Sequence, residues 1–307
     1  MLGMNSWLAG QVVCKLLIYS GLAAVIGGIS CLRLTPTARK LMAVLKGYFL
    51  VSVVLGLLAS VLLFFLRVGY LAESGIGGMF DSLYLTILWS SSVGTATVWQ
   101  ASGFGVLLIG ILWLISRSEN GRPEDSKRRY FTMFFLALIC LGVLMVIRSI
   151  AMIGHPAGVN VTAQIAIALH AFAGLWWLGS LVPLHASCTR LSNQSLHQLM
   201  HRFGNIALVI VLMLLVMGGW VALQLFTSPA ELVTTAYGRS FLIKISLVIG
   251  LLSLALWHKA RLVPRLLHRP NTAHSLKRSI RIETFVGVAV LVATVILTTA
   301  VGPAHVS

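Results

Sequence analysis

Long apolar runs, broken by short clusters of charge, dominate the pattern of this 307-residue chain. A helix needs ~20 mostly apolar residues to cross the hydrocarbon core of a bilayer. Eight runs reach that length: roughly residues 7–32, 42–70, 94–117, 130–153, 161–186, 203–226, 240–262 and 280–302. A ninth stretch, 79–91, is too short and carries Asp81, Ser82 and Ser90, so it reads as an interfacial or re-entrant helix leading into the third span. The longest connections, 71–93 and 187–202, are too short for a core of their own. The pattern therefore predicts an all-α, polytopic membrane helix bundle of about eight transmembrane helices, with residues 1–307 forming a single integral membrane domain.

Composition supports this reading. Charged residues make up 10% of the chain, against about 25% in a globular protein, and hydrophobic residues make up 58%. So few charges cannot cover a water-facing surface. The net charge of +16 would suggest a nucleic-acid partner in a soluble chain, but no patch of interleaved basic and aromatic residues is present, and nucleic acid is rejected. Most of the positive charge instead sets topology. All Lys and Arg except Lys15, Arg67, Arg148, Arg239 and Lys244 lie in or beside the first, third, fifth and seventh connections. By the positive-inside rule those connections are cytoplasmic, so both termini face outward, toward the periplasm of a bacterial cell. The N-terminus lacks a basic leader region and an A-x-A cleavage site, and Lys15 interrupts its apolar stretch. The first run is read as a retained span.

No phosphate loop, GxSxG elbow, HExxH motif or paired-carboxylate constellation occurs, so neither an enzyme nor a nucleotide site is expected. The four cysteines, Cys14, Cys31, Cys140 and Cys188, show no CxxC pair and no metal-finger spacing. What remains is a set of soft and borderline metal ligands at particular depths. Met145, Arg148, Met152 and His155 follow at steps of three, four and three, which places them on one face of the fourth span running to its outer mouth. Thioether sulfur suits Cu(I), and imidazole suits either copper oxidation state. The other reading of such methionines is gap-filling between helices. In the fifth span His170 lies ~13 Å below the outer end at helical rise, where an ionisable side chain is a functional candidate by default. Ala173, Gly174, Trp177 and Ser180 share its face, and small residues there let a neighbouring helix approach. The alternative for His170 is a single hydrogen bond to a neighbouring backbone carbonyl.

Met213 and Met217 on the sixth span, with Cys140 on the fourth, extend a sulfur-lined path inward, or else simply pack. At the inner face His185, Cys188 and Cys31 offer an exit site, or are buried small side chains. His197, His201, His268 and His274 fall in cytoplasmic connections, and His305 faces outward with His155. Lys15, Arg148 and Lys244 suit a cation path poorly; they either pair with Glu73, Asp81 or Glu231 or hold the bundle's register.

The run His170-Ala-Phe-Ala-Gly-Leu-Trp176-Trp177-Leu-Gly179-Ser180 resembles the signature of the CopD/PcoD copper resistance membrane proteins: a His, a small-residue stretch, then Trp-x-Gly-Gly. Gly154-His155 precedes it, Arg202-Phe203 opens the next span, and Thr235, Tyr237-Gly238, Leu242 and Lys244 match a further region in looser form. Pro264, Arg281, Glu283 and Pro303 follow in order. The resemblance covers about residues 150–303, and the first half agrees only in span layout. Ser180 stands where the family has a second glycine, and Pro156 where alanine is common. The resemblance implies a multi-pass bacterial inner-membrane protein that moves copper from periplasm to cytoplasm beside a small periplasmic carrier of the CopC type. It makes His155 and His170 the foremost metal candidates, with Met152 and His305 joining at the outer mouth. Two other readings stay open: a haem-binding redox protein using His170 as an axial ligand, and a copper-dependent anchor for the periplasmic carrier.

Overall fold

The computed structural model describes residues 6–35, 38–120, 126–153, 161–226, 228–268 and 271–301. Its elements are α1 (Ser6–Leu34), α2 (Ala38–Ala72), a 3-10 turn (Ile76–Phe80), α3 (Ser82–Trp89), α4 (Ser92–Asn120), α5 (Ser126–Met152) and α6 (Val161–Arg190). There follow α7 (Asn193–Leu225), α8 (Glu231–Thr234), α9 (Ala236–Trp257), a π-turn (His258–Leu262), α10 (Val263–Arg265) and α11 (Thr272–Thr299). Among the described residues, eight helices are long and apolar enough to cross a membrane: α1, α2, α4, α5, α6, α7, α9 continued to Arg265, and α11. The fold is an all-α polytopic bundle.

Two helices start well before their apolar runs. α7 begins at Asn193 rather than near 203, because Ser192 caps it by accepting the Ser195 N–H at 3.3 Å. Its first turns are amphipathic, with Leu196, Leu199, Met200 and Phe203 buried. His197 and His201, expected in a connection, therefore stand one turn apart on α7 with ring centroids 6.2 Å apart. α11 likewise starts at Thr272. Counting apolar residues misses such ends, since only one stripe of them is apolar. The short stretch near 79–91 is helical over α3. Asp81, whose charge argued against a span, is its N-cap and accepts from the N–H groups of Leu83 (3.0 Å) and Tyr84 (3.3 Å). Leu88 then packs with Phe64 and Val68 of α2.

The chain divides into two compact units, Met1–Leu22 with Lys46–Ala168, and Ala23–Leu45 with Leu169–Ser307. In the first, α4 and α5 meet at glycines. A Cβ on Gly103 would lie 3.0 Å from the Gly142 carbonyl, and one on Gly142 would lie 2.9 Å from the Gly103 carbonyl. Around this contact Gln100 donates to Ser149 Oγ at 3.2 Å, and Trp113 stacks on Phe135 at 4.4 Å.

In the second unit the C-terminal half of α1 lies directly against α6. A Cβ on Gly179 would overlap the carbonyl of Ala23, and one on Gly27 would overlap the backbone of Gly179 and Ser180. Lipid tails are as apolar as leucine, so helices in a bilayer associate through close packing and interhelical hydrogen bonds. Both occur here, with Trp176 Nε1 donating to Ser30 Oγ at 2.9 Å and Trp176 stacked on Phe203 of α7.

This contact yields a stability prediction. Gly179→Val forces two backbones apart and should destabilise the protein by roughly 1–3 kcal/mol or more. Gly250→Ala, at a glycine with open space around it, should shift stability by no more than about 1 kcal/mol. The fraction of monodisperse protein in detergent after a heating series measures both. Equal loss in the two variants would refute the packing argument.

Candidate metal site

His170 lies on α6 with its ring turned toward α7. Its Nδ1 is 3.0 Å from the carbonyl oxygen of Leu214. A carbonyl only accepts, so Nδ1 carries the proton and Nε2 keeps the lone pair. The ring rests on Gly218: a Cβ there would stand 2.7 Å from Cε1 and 2.8 Å from Nδ1. A Cβ on Gly174, on the same face of α6, would stand 3.7 Å from Leu214 Cδ1. The small-residue face thus brings a neighbouring helix close, and the carbonyl bond foreseen as the alternative for His170 is present as well. The two readings do not exclude each other. Metal-binding imidazoles commonly donate their second N–H to a carbonyl or carboxylate, which fixes tautomer and orientation.

The other candidates are placed unequally. Met152 is the last residue of α5 and is half-buried. His155 and His305 lie outside the described residues. Met145 packs with its Cβ beside Gly103 of α4. Met217 is half-buried and adjoins Gly218 on α7, with Met213 one turn before it. Cys31 Sγ points at the Ser180 carbonyl (3.9 Å) and Cys188 Sγ at the Leu184 carbonyl (3.4 Å). Among the described residues no three His, Cys, Asp or Glu side chains come together in a group able to hold a metal.

Of the charges considered for pairing, Arg148 and Asp81 are engaged elsewhere. Arg148 donates to Gln164 Oε1 at 2.9 Å, and Asp81 is spent on its helix cap. Lys244, on α9, lies within electrostatic range of His170.

A second polar centre was not anticipated. Glu283 of α11 is 3% exposed and His258 is 8% exposed. His258 Nδ1 meets Glu283 Oε2 at 2.9 Å, and Trp177 Nε1 of α6 donates to Glu283 Oε1 at 3.0 Å. His258 Nε2 lies 2.6 Å from Ser279 Oγ. The sequence carried one signal for it, since Trp177 stands two turns from His170 on the same face. His258 closes an apolar run and precedes Lys259, so it looks like an ordinary residue at a helix end.

A family model described as "Copper resistance protein D" matches residues 197–297, and one described as "Copper resistance protein D-like, N-terminal domain" matches residues 4–165. The second spans more than half the chain, so the first half agrees in more than layout. No curated protein and no solved structure matches. His170 and Trp177 fall between the two matched stretches, whereas Lys244, His258 and Glu283 fall inside the later one. With eight helices able to span a bilayer, it is a multi-pass inner-membrane protein, and the chain belongs to the copper resistance protein D family.

Proposed function

We propose that this protein carries copper across the inner membrane, from the periplasm to the cytoplasm, with His170 as the ligand inside the bundle. The observation that carries the reading is the His170–Leu214 hydrogen bond. It commits Nδ1 to a proton and leaves Nε2 as the donor atom on a helix long enough to span the membrane. Family membership supplies the metal. In this reading His155, Met152 and His305 capture copper at the outer mouth, delivered by a periplasmic carrier of the CopC type, and His170 receives it.

The ligand environment favours Cu(I). A transport site needs few ligands, because an ion held by a full set leaves slowly. Lys244 penalises a divalent ion about twice as much as a monovalent one, since Coulomb energy scales with charge. The methionines near the path are thioethers, which prefer Cu(I).

Cells expressing the chain should gain copper over an empty vector by elemental analysis, and His170→Ala should return them to the empty-vector level. Gly218→Val, which crowds the ring chiefly at Cε1 and Nδ1 and displaces it while keeping the imidazole, should lower the gain by about tenfold, in line with loss of an orienting partner. Gly219→Val, one residue on and with open space, should retain it. Normal accumulation in His170→Ala, with the protein confirmed in the membrane, would sink the mechanism.

Orientation has its own check. The excess of Lys and Arg in alternate connections supports a periplasmic position for both termini. An alkaline phosphatase fused at the C-terminus should be active and a fluorescent protein fused there should be dark. The reverse pattern would invert the direction assigned to the path.

A further inference from the structure

Glu283 is the one acidic side chain that is buried among the described residues. It lies about eleven residues into α11, ~17 Å along the axis from the helix start. A buried ionisable group in a membrane-spanning helix is costly and marks ion or proton pathways. We propose that Glu283 and His258 form a proton-exchange site, in which the proton moves on and off His258 Nε2 and so couples ion movement through the bundle to the proton gradient. The coupling rests on the transport reading above; the proton site does not.

Hydrogen-bond bookkeeping identifies the atom that titrates. The Trp177 indole can only donate, so Glu283 Oε1 is an acceptor in every state. Oε2 receives the Nδ1 proton of His258. Neither carboxylate oxygen needs a proton of its own, and Nδ1 keeps its proton to hold the pair together. Nε2 is left to change. With a proton, it donates to Ser279 Oγ; without one, it accepts from the Ser279 hydroxyl. That hydroxyl serves either role by rotating, and Ser279 is half-buried, so the exchangeable proton lies on the more accessible side of the pair.

The backbone around His258 has an identifiable cause. Pro264 has no N–H for the carbonyl of Ala260, and its ring crowds that carbonyl in an α-helix. The chain widens instead into the π-turn, with the Val263 N–H bonded to the His258 carbonyl. Such single wide turns inside α-helices recur at functional sites.

The charged groups on the surrounding elements have other engagements. From the π-turn, Lys259 donates to the Gly204 carbonyl (3.1 Å) and to Asn205 Oδ1 (3.4 Å), and Arg261 lies over the Trp257 ring. From α7, Arg202 donates to the Leu34 carbonyl at 3.4 Å. On α11 itself, Lys277 and Arg281 lie within electrostatic range of His185 of α6, and Arg278 is exposed. His258 is the titratable group that meets the carboxylate.

Nitrogen-15 NMR of imidazoles in the purified full-length protein tests the site, with the signal assigned by His258→Gln. The expected result is an Nδ1 protonated throughout and an Nε2 that passes from protonated to lone-pair character as the pH is raised over the range in which the protein stays folded. An Nε2 fixed in one state over that range would make the pair a static tie and overturn the proposal. Ser279→Ala keeps the ion pair and guards against a folding defect. It should slow exchange of the Nε2 proton with water, and an unchanged rate would remove Ser279 as the outlet.

Proteoliposomes with clamped membrane potential then test coupling. The initial rate of copper entry should differ several-fold between acid-outside and acid-inside gradients, and Glu283→Gln should bring that ratio to one. Copper entry indifferent to the gradient would overturn the coupling and leave transport standing. No copper entry in the unmodified protein, with Nε2 titrating, would overturn transport and its coupling together and leave the proton site standing.

Discussion

Hydrocarbon offers no hydrogen-bond partner, so every polar atom on these helices must be satisfied from within the protein. Small hydroxyls return to their own helix: Ser60 to the Gly56 carbonyl, Ser187 to Pro183, Thr294 to Val290. Larger polar groups reach across to another helix, as His170 does to Leu214, Trp176 to Ser30, Trp177 to Glu283 and Gln100 to Ser149. Among the described residues Thr299 Oγ1 is the one buried side-chain nitrogen or oxygen without a partner, and it lies at the end of α11. Each crossing bond fixes the depth and the rotation of two helices together. Glycine contacts such as Gly27 against Gly179 bring the backbones close enough for those bonds to form.

The same constraint explains what the sequence discloses. Span positions are legible because the quantity read from the chain, apolar length, is the quantity the bilayer selects. The amphipathic start of α7 is not, since water and protein share its surface, and His197 and His201 were placed in a loop for that reason. His170 stands out because depth makes an imidazole expensive. Its small-residue face pointed correctly to a neighbouring helix, but the glycine that seats the ring is Gly218, forty-eight positions away.

Glu283 and His258 were hidden for a different reason. Their meeting depends on the rotation of α9 and α11 and on a π-turn that shifts the register after His258. A proline two residues past the turn produces that shift, and periodicity at 3.6 residues does not register it. From the sequence Glu283 reads only as a residue near the start of the last span. Its burial becomes visible once Trp177 and His258 are seen on either side of the carboxylate.

The two polar centres share their helices. α6 carries both His170 and Trp177, seven residues or ~10 Å apart. α9 carries Lys244, and its continuation carries His258, fourteen residues or ~21 Å further along. Lys244 lies within electrostatic range of His170, and the carboxylate of Glu283 meets α6 at Trp177, toward the C-terminal end of that helix. With His258 protonated, its pair with Glu283 is neutral; with Nε2 deprotonated, the same place carries one negative charge. On the proposed reading, losing that proton would strengthen the pull on a cation at His170, and the cation would in turn favour loss of the proton. Because binding free energies are reciprocal, copper held at His170 as proposed would loosen a proton at Nε2 by the same factor as that proton weakens copper binding.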